Sequence, residues 1–87
     1  MMEELNRLLY NQQERSNALR TVGKFLSLSR ATIGLETKEV ALLTNVPLDW
    51  IELAEAGKEI PEYARQILVN FYRYIVGYNR IISGEEI

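Results

Sequence analysis

The stretch NVPLDWIELAEAGK, residues 45–58, carries Asp49, Glu52 and Glu55 at three-residue intervals, with Lys58 as its one cation. On a helix, carboxylates so spaced are surface neighbours that accept hydrogen bonds or pair with bases. Little else in the chain can do chemistry. It has no histidine and no cysteine, so the usual zinc sites, the common nucleophile–base pairs and any disulfide framework are excluded. Glu3 with Glu4, and Glu85 with Glu86, are adjacent pairs near the ends and read as solvated charge rather than as acid–base or metal pairs. GKEIP, residues 57–61, lacks both the glycine-rich approach to Lys58 and the following Ser or Thr of a phosphate loop. Tyr72, Tyr74 and Tyr78, with Arg73 between the first two and Arg80 just beyond the last, read as amphipathic interface residues before they read as a stacking platform for nucleobases. The expectation is a protein that is not an enzyme and requires no cofactor and no metal.

The elements that position these residues are helical throughout. Eighty-seven residues, 47% hydrophobic and 25% charged, make one soluble globular domain with a modest core, for which a partner subunit is a natural source of further burial. Residues 1–17 are expected to form an N-terminal helix or arm, with Leu5, Leu8 and Leu9 on one side and the polar run NQQERSN after them. A core follows over residues 18–60. From Asn17, a capping type, Leu19, Val22, Leu26 and Ile33 recur at helical spacing with Phe25 beside them, and Gly34 ends the run. ETKEVALL, residues 36–43, predicts a short second helix with Glu39 placed to close a capping box on Glu36, and with Val40, Ala41 and Leu43 for burial. Asn45 suits a left-handed turn, and Pro47 the first turn of a third helix that stops at Gly57.

Residues 61–83 predict a long C-terminal helix, about 33 Å if unbroken to Ile82. Ala64, Ile67, Leu68, Phe71, Ile75, Tyr78 and Ile82 form its stripe, with Tyr72 and Tyr74 widening it. Phe71, Ile75, Tyr78 and Ile82 extend beyond what so small a core can cover, and are expected to pack against a second copy, making a homodimer, or against another protein. The alternative is that Leu5, Leu8 and Leu9 of the same chain cover them. The charged, non-apolar start shows no signal peptide or membrane span, so the cytoplasm is the expected compartment and no membrane partner is foreseen.

RATIGLETKEVALLTNVPLDWIELAEAGKEIP, residues 30–61, resembles the Cro and phage-repressor type of helix-turn-helix, the xenobiotic-response-element family. The likeness covers roughly Leu19 to Tyr74. It rests on Arg30 four before Gly34, on GL opening the second helix, on Val40 with Ala41, on Val46 after the turn, on Ile51, and on the closing EAGK. The resemblance implies an all-α, compact helix-turn-helix bundle of about five helices with a long C-terminal helix. It also implies a structural ion pair between Arg30 and Glu55, whose geometries suit a bidentate contact. It places Pro47, Leu48, Asp49 and Leu53 at the base-facing positions, with Trp50 and Glu52 beside them, and Thr37 at a backbone-contacting one; Lys38 and Lys58, the only cations inside the motif, are the further candidates for backbone contact.

The sequence departs from the family at those positions. Base discrimination depends chiefly on bidentate Arg, Lys, Asn and Gln, and none stands among these six. A leucine can touch a thymine methyl and Asp49 can accept from cytosine, a thin vocabulary. From Gly34 to Glu62, seven carboxylates face only Lys38 and Lys58, a local charge of −5 within a net −2, whereas affinity for duplex DNA draws on counterion release by cations. Leu48, Trp50 and Leu53, if outward, form an apolar patch rimmed by Asp49 and Glu52, a composition suited to protein contact; the alternative turns Trp50 inward and packs Leu53 under the last helix. Two functions therefore stand. One is a small transcription-linked regulator that touches a protein partner, such as a repressor or other transcription component, in the manner of an antirepressor or co-regulator. The other is a dimeric operator-binding repressor of duplex DNA, with charge supplied by Arg20, Lys24 or Arg65 from neighbouring helices.

Overall fold

A computed structural model describes residues 2–83, with side chains for all of these except residues 2, 6, 8–10 and 76–83. Four α-helices follow one another: α1 Met2–Ile33, α2 Thr37–Thr44, α3 Leu48–Glu55 and α4 Glu62–Ser83. There is no strand among the described residues, and none of the described helices is long and apolar enough to cross a membrane.

The arm and the first core helix expected from the sequence are one helix of 32 residues. The boundary foreseen at Asn17 does not exist. Asn17 and Ser16 are capping types, but no glycine or proline interrupts residues 1–22, and the Asn17 side chain instead accepts from Arg20 at 2.9 Å. The five segments read from the sequence are thus carried by four helices. Residues 11–18 are exposed all round, and the radius of gyration is 16.0 Å, against about 12 Å for a globular chain of this length.

From Leu19 onward α1 acquires an inner side. Leu19, Gly23 and Leu26 are buried, Val22, Arg30 and Ile33 are half-buried, and these fall at helical spacing on one stripe. α1 ends where Gly34 takes a positive φ of 84° and the Leu35 N–H donates back to the Arg30 carbonyl at 3.1 Å. α2 begins with the Glu36 N–H donating to the Glu39 carboxylate at 2.9 Å, the foreseen capping contact. It ends at Asn45 in the left-handed region, φ 61°. The turn is short: Val46 is buried and Pro47 precedes α3, where its missing N–H costs nothing.

The core gathers Leu26 from α1, Val40 from α2, Val46 from the turn, Ile51 and Ala54 from α3, Ile60 from the linker, and Ala64, Leu68 and Tyr72 from α4. On α4 the innermost residues therefore recur every four positions. Tyr72, expected to widen the stripe, is its centre at 1% exposure, while Ile67 and Tyr74 face outward and Phe71 and Ile75 are half-buried. Leu43 is a correction of another kind. It was expected in the core and is 63% exposed, because α2 meets the core through Val40 and leaves Leu43 overhanging the groove beside α4.

One contact sets the angle between α1 and α3. A Cβ on Gly23 would stand 2.8 Å from the Ala54 carbonyl oxygen and 2.9 Å from that of Glu55, so the C-terminal turn of α3 lies directly on the α1 backbone. Gly57 closes that end. Its φ of 77° suits glycine, and a side chain there would meet the Arg20 Cγ at 3.0 Å.

Candidate functional site

α3 has only eight residues, so its rotation about its own axis decides which side chains a partner can reach. Ile51 and Ala54 are buried, and Leu48, Trp50 and Glu55 are half-buried. What remains outward is Asp49, Glu52, Leu53 and the capping Ala56, the i, i+3, i+4, i+7 stripe of a helix. That stripe bears two carboxylates, a leucine that is 42% exposed and no cation. Asp49 lies in the first turn of α3, where the helix dipole favours a negative charge.

Trp50 does not belong to the outward patch foreseen for it. Its ring packs against the core and meets Tyr63 edge-on, with centroids 6.2 Å apart and planes at 75°. Tyr63, on the first turn of α4, was absent from the sequence reading. Edge-to-face aromatic pairs are favourable beyond their area, and this one draws Trp50 off the α3 face. Leu53 stays out rather than packing under α4.

The apolar surface next to α3 lies instead toward α2. Lys38, Ala41, Leu42, Asn45, Pro47 and Leu48 line a shallow groove across the two short helices, with Val46 beneath. Leu42 is 85% exposed and was not singled out in the sequence. The signal available was the pair Leu42–Leu43 on an eight-residue helix, whose inner side needs only one of every three or four positions.

Arg30 and Glu55 meet. The guanidinium Nε donates to Glu55 Oε2 at 2.7 Å and Nη2 to Oε1 at 2.9 Å, while Nη1 donates to the Leu35 carbonyl at 3.1 Å. The side chains are 24% and 13% exposed. The hydrogen bonds to Glu55 push the guanidinium further above its already high range, against the opposing effect of burial. This clamp joins the end of α1 and the following linker to the last turn of α3, and it compensates a carboxylate placed unfavourably at a helix C-terminus. Glu55 is thereby withdrawn from the acidic face.

The cations flank α3 instead of occupying it. Lys38 is exposed at the start of α2 beside half-buried Thr37, and Lys58 is exposed just past Gly57. The Arg20 stem lies against Gly57, and with Asn17, Thr21 and Lys24 it forms a shallow polar groove on α1. Arg15 pairs with Glu59, a hydrogen bond that holds the Glu59 carboxyl below its ordinary range. Arg65 pairs with Glu62 and is mostly buried at 14% exposure, so the structure does not offer it as a free surface cation.

Of the residues expected to make a dimer, Phe71 and Ile75 are half-buried on the outer flank of α4. Tyr78 and Ile82 lie outside the described side chains, as do Leu8 and Leu9. Among the described residues, no group of three acidic side chains is arranged to hold a metal ion. No protein-family model, no curated protein and no solved structure matches this chain.

Proposed function

We propose that the chain is a self-associating helix-turn-helix regulator of transcription that works by touching another protein, in the manner of an antirepressor or co-regulator. The observation that carries this reading is the outward stripe of α3: Asp49, Glu52, Leu53 and Ala56. A helix entering the major groove needs donors for base edges and neutralising charge for phosphates. This one supplies two carboxylates and a leucine. The same stripe, taken together with the apolar groove that contains Leu42 and Leu48, has the composition of a protein contact with a charged rim. The partner is of complementary chemistry, a repressor or other transcription component whose surface is basic around an apolar centre.

A second reading, the dimeric operator-binding repressor, draws support from two observations. Trp50 is turned against Tyr63 and away from the outward stripe of α3, and the Arg20 stem lies beside Gly57, from where an α1 cation can reach a phosphate flanking α3. A labelled random-sequence duplex titrated at low and at physiological salt separates the two, together with selection from a randomised duplex pool. The protein-contact reading expects affinity weaker than the roughly 10⁻⁴ M at which non-specific binders begin, and no enriched sequence. A steep salt dependence with an enriched palindromic site would sink it and establish the repressor.

A further inference from the structure

A second apolar surface lies on the other flank of α2. Leu43, Ile67, Asn70, Phe71, Tyr74 and Ile75 line a groove of about 630 Å³ between α2 and α4. Leu43, Ile67 and Tyr74 are 63%, 41% and 77% exposed. None of the described residues lining it is charged.

Two features point to its occupant. The first is area. The chain exposes 6774 Å², against about 5,300 Å² expected of a folded monomer of its mass. The excess of roughly 1,500 Å² is nearly twice the ~800 Å² that one partner covers in a standard interface. The exposed first half of α1 accounts for part of it, and Leu43, Ile67 and Tyr74 of this groove are among the exposed apolar residues that contribute to the rest, as Leu42 does on the other flank of α2. The second feature is charge. In a two-fold contact every group near the axis meets its own copy, so a charged lining repels itself, whereas an uncharged one is self-complementary at no electrostatic cost. Asn70 fits that demand, since an amide carries both donors and an acceptor and can pair with itself. A basic partner of the kind proposed for the acidic α3 stripe has nothing here to grasp.

We infer that the α2–α4 groove is the seat of a two-fold homodimer, in which Ile67, Phe71 and Tyr74 of each copy cover Leu43 and Ile75 of the other, with the two Asn70 side chains near the axis. The inference deepens the self-association in the reading above and rests on it. It leaves the α3 stripe free for a different protein.

The test is sedimentation equilibrium on the full chain, with Leu43→Lys and Tyr74→Lys as variants. Both positions are exposed, and circular dichroism checks that helicity is kept. The expected result is a wild-type dimer at micromolar concentration, weakened about 30-fold or more by either lysine. The absence of native cysteine permits a direct geometric reading. Asn70→Cys is expected to cross-link to its own copy under mild oxidation, which needs Cα atoms within about 7 Å, while Lys24→Cys on α1 is not. A monomeric wild type at high micromolar concentration overturns both the groove and the self-association. A dimer that survives both lysines and leaves Asn70→Cys uncross-linked overturns the groove alone. Neither outcome touches the α3 contact, which the duplex titration decides.

Discussion

Replacing Gly23 by alanine sets two known effects against each other at one buried position. In an exposed helix interior the change would stabilise by about 1 kcal/mol, through helix propensity and the lost freedom of the unfolded chain. Here the added methyl would sit 2.8 Å from the Ala54 carbonyl oxygen, 2.9 Å from that of Glu55 and 3.1 Å from the Gly57 nitrogen. All three are backbone atoms in the last turn of α3 and its cap, so no side chain can rotate aside. The methyl must lever α3 away from α1, and overpacking of this kind costs typically 1–3 kcal/mol. Because the obstacles are main chain, the upper part of that range applies, leaving a net loss of about 1–2 kcal/mol. For a domain of this size each kcal/mol lowers Tm by about 4–8 °C. Thermal melts followed by circular dichroism, with urea titrations alongside, compare Gly23→Ala with Ser16→Ala, an exposed position on the same helix. Ser16→Ala is expected to be neutral or slightly stabilising. A Gly23→Ala protein as stable as wild type, or more so, would refute the close approach of α3 to α1.

The Arg30–Glu55 clamp is expected to behave as a unit. Arg30→Ala or Glu55→Ala alone should cost about 2–3 kcal/mol, below the fully buried limit because both groups keep some contact with solvent. The double variant should cost less than the sum of the two by about 1–2 kcal/mol in urea denaturation, and additive losses would argue against a direct pair. Tyr72 makes a pH prediction. Its hydroxyl is buried without a partner among the described residues, and burial, with the Glu55 charge adding to it and Arg30 opposing, pushes the phenol from 10.0 up to about 12. Between those values the unfolded state has lost the proton and the folded state has kept it, so stability falls as pH rises through that window, by at most about 2 kcal/mol. Tyr72→Phe should remove this alkaline loss and be neutral or stabilising by up to ~1 kcal/mol at pH 7, since no hydrogen bond is given up. Parallel stability curves for the two proteins from pH 9 to 12 would show that the phenol is not desolvated.

Local rules were enough for much of the architecture. Gly34, Asn45 and Gly57 mark helix ends that only left-handed backbone provides, Glu36 and Glu39 announce a capping contact, and the prolines at 47 and 61 precede α3 and α4. Each signal depends on a residue's own backbone preference and a neighbour three or four positions away, so a linear chain displays it. The continuity of α1 was also available, in the absence of any glycine or proline before Gly23, but Asn17 offered a competing local reading. A capping side chain and a helical one have the same sequence. The glycine at 23 carried a signal as well, because a glycine inside a helical pattern is costly without a packing reason, although nothing in the sequence says which backbone approaches it.

The composition of the candidate site is a property of the sequence, and its presentation is not. That α3 carries Asp49, Glu52 and Leu53 and lacks base-reading donors is fixed by residue identity, as is the formal charge of −5 over residues 34–62. Which of Leu48, Trp50 and Leu53 reaches a partner depends on the rotation of an eight-residue helix. That rotation is set by Ile51 and Ala54 in the core, by Tyr63 beside Trp50 and by the Arg30–Glu55 clamp, contacts spanning up to 25 residues of chain. Over so short a helix the apolar residues occupy too many directions for periodicity to choose among them. Packing against the other three helices makes the choice, because only one orientation buries Ile51, pairs Glu55 and brings the α3 backbone down onto Gly23 together.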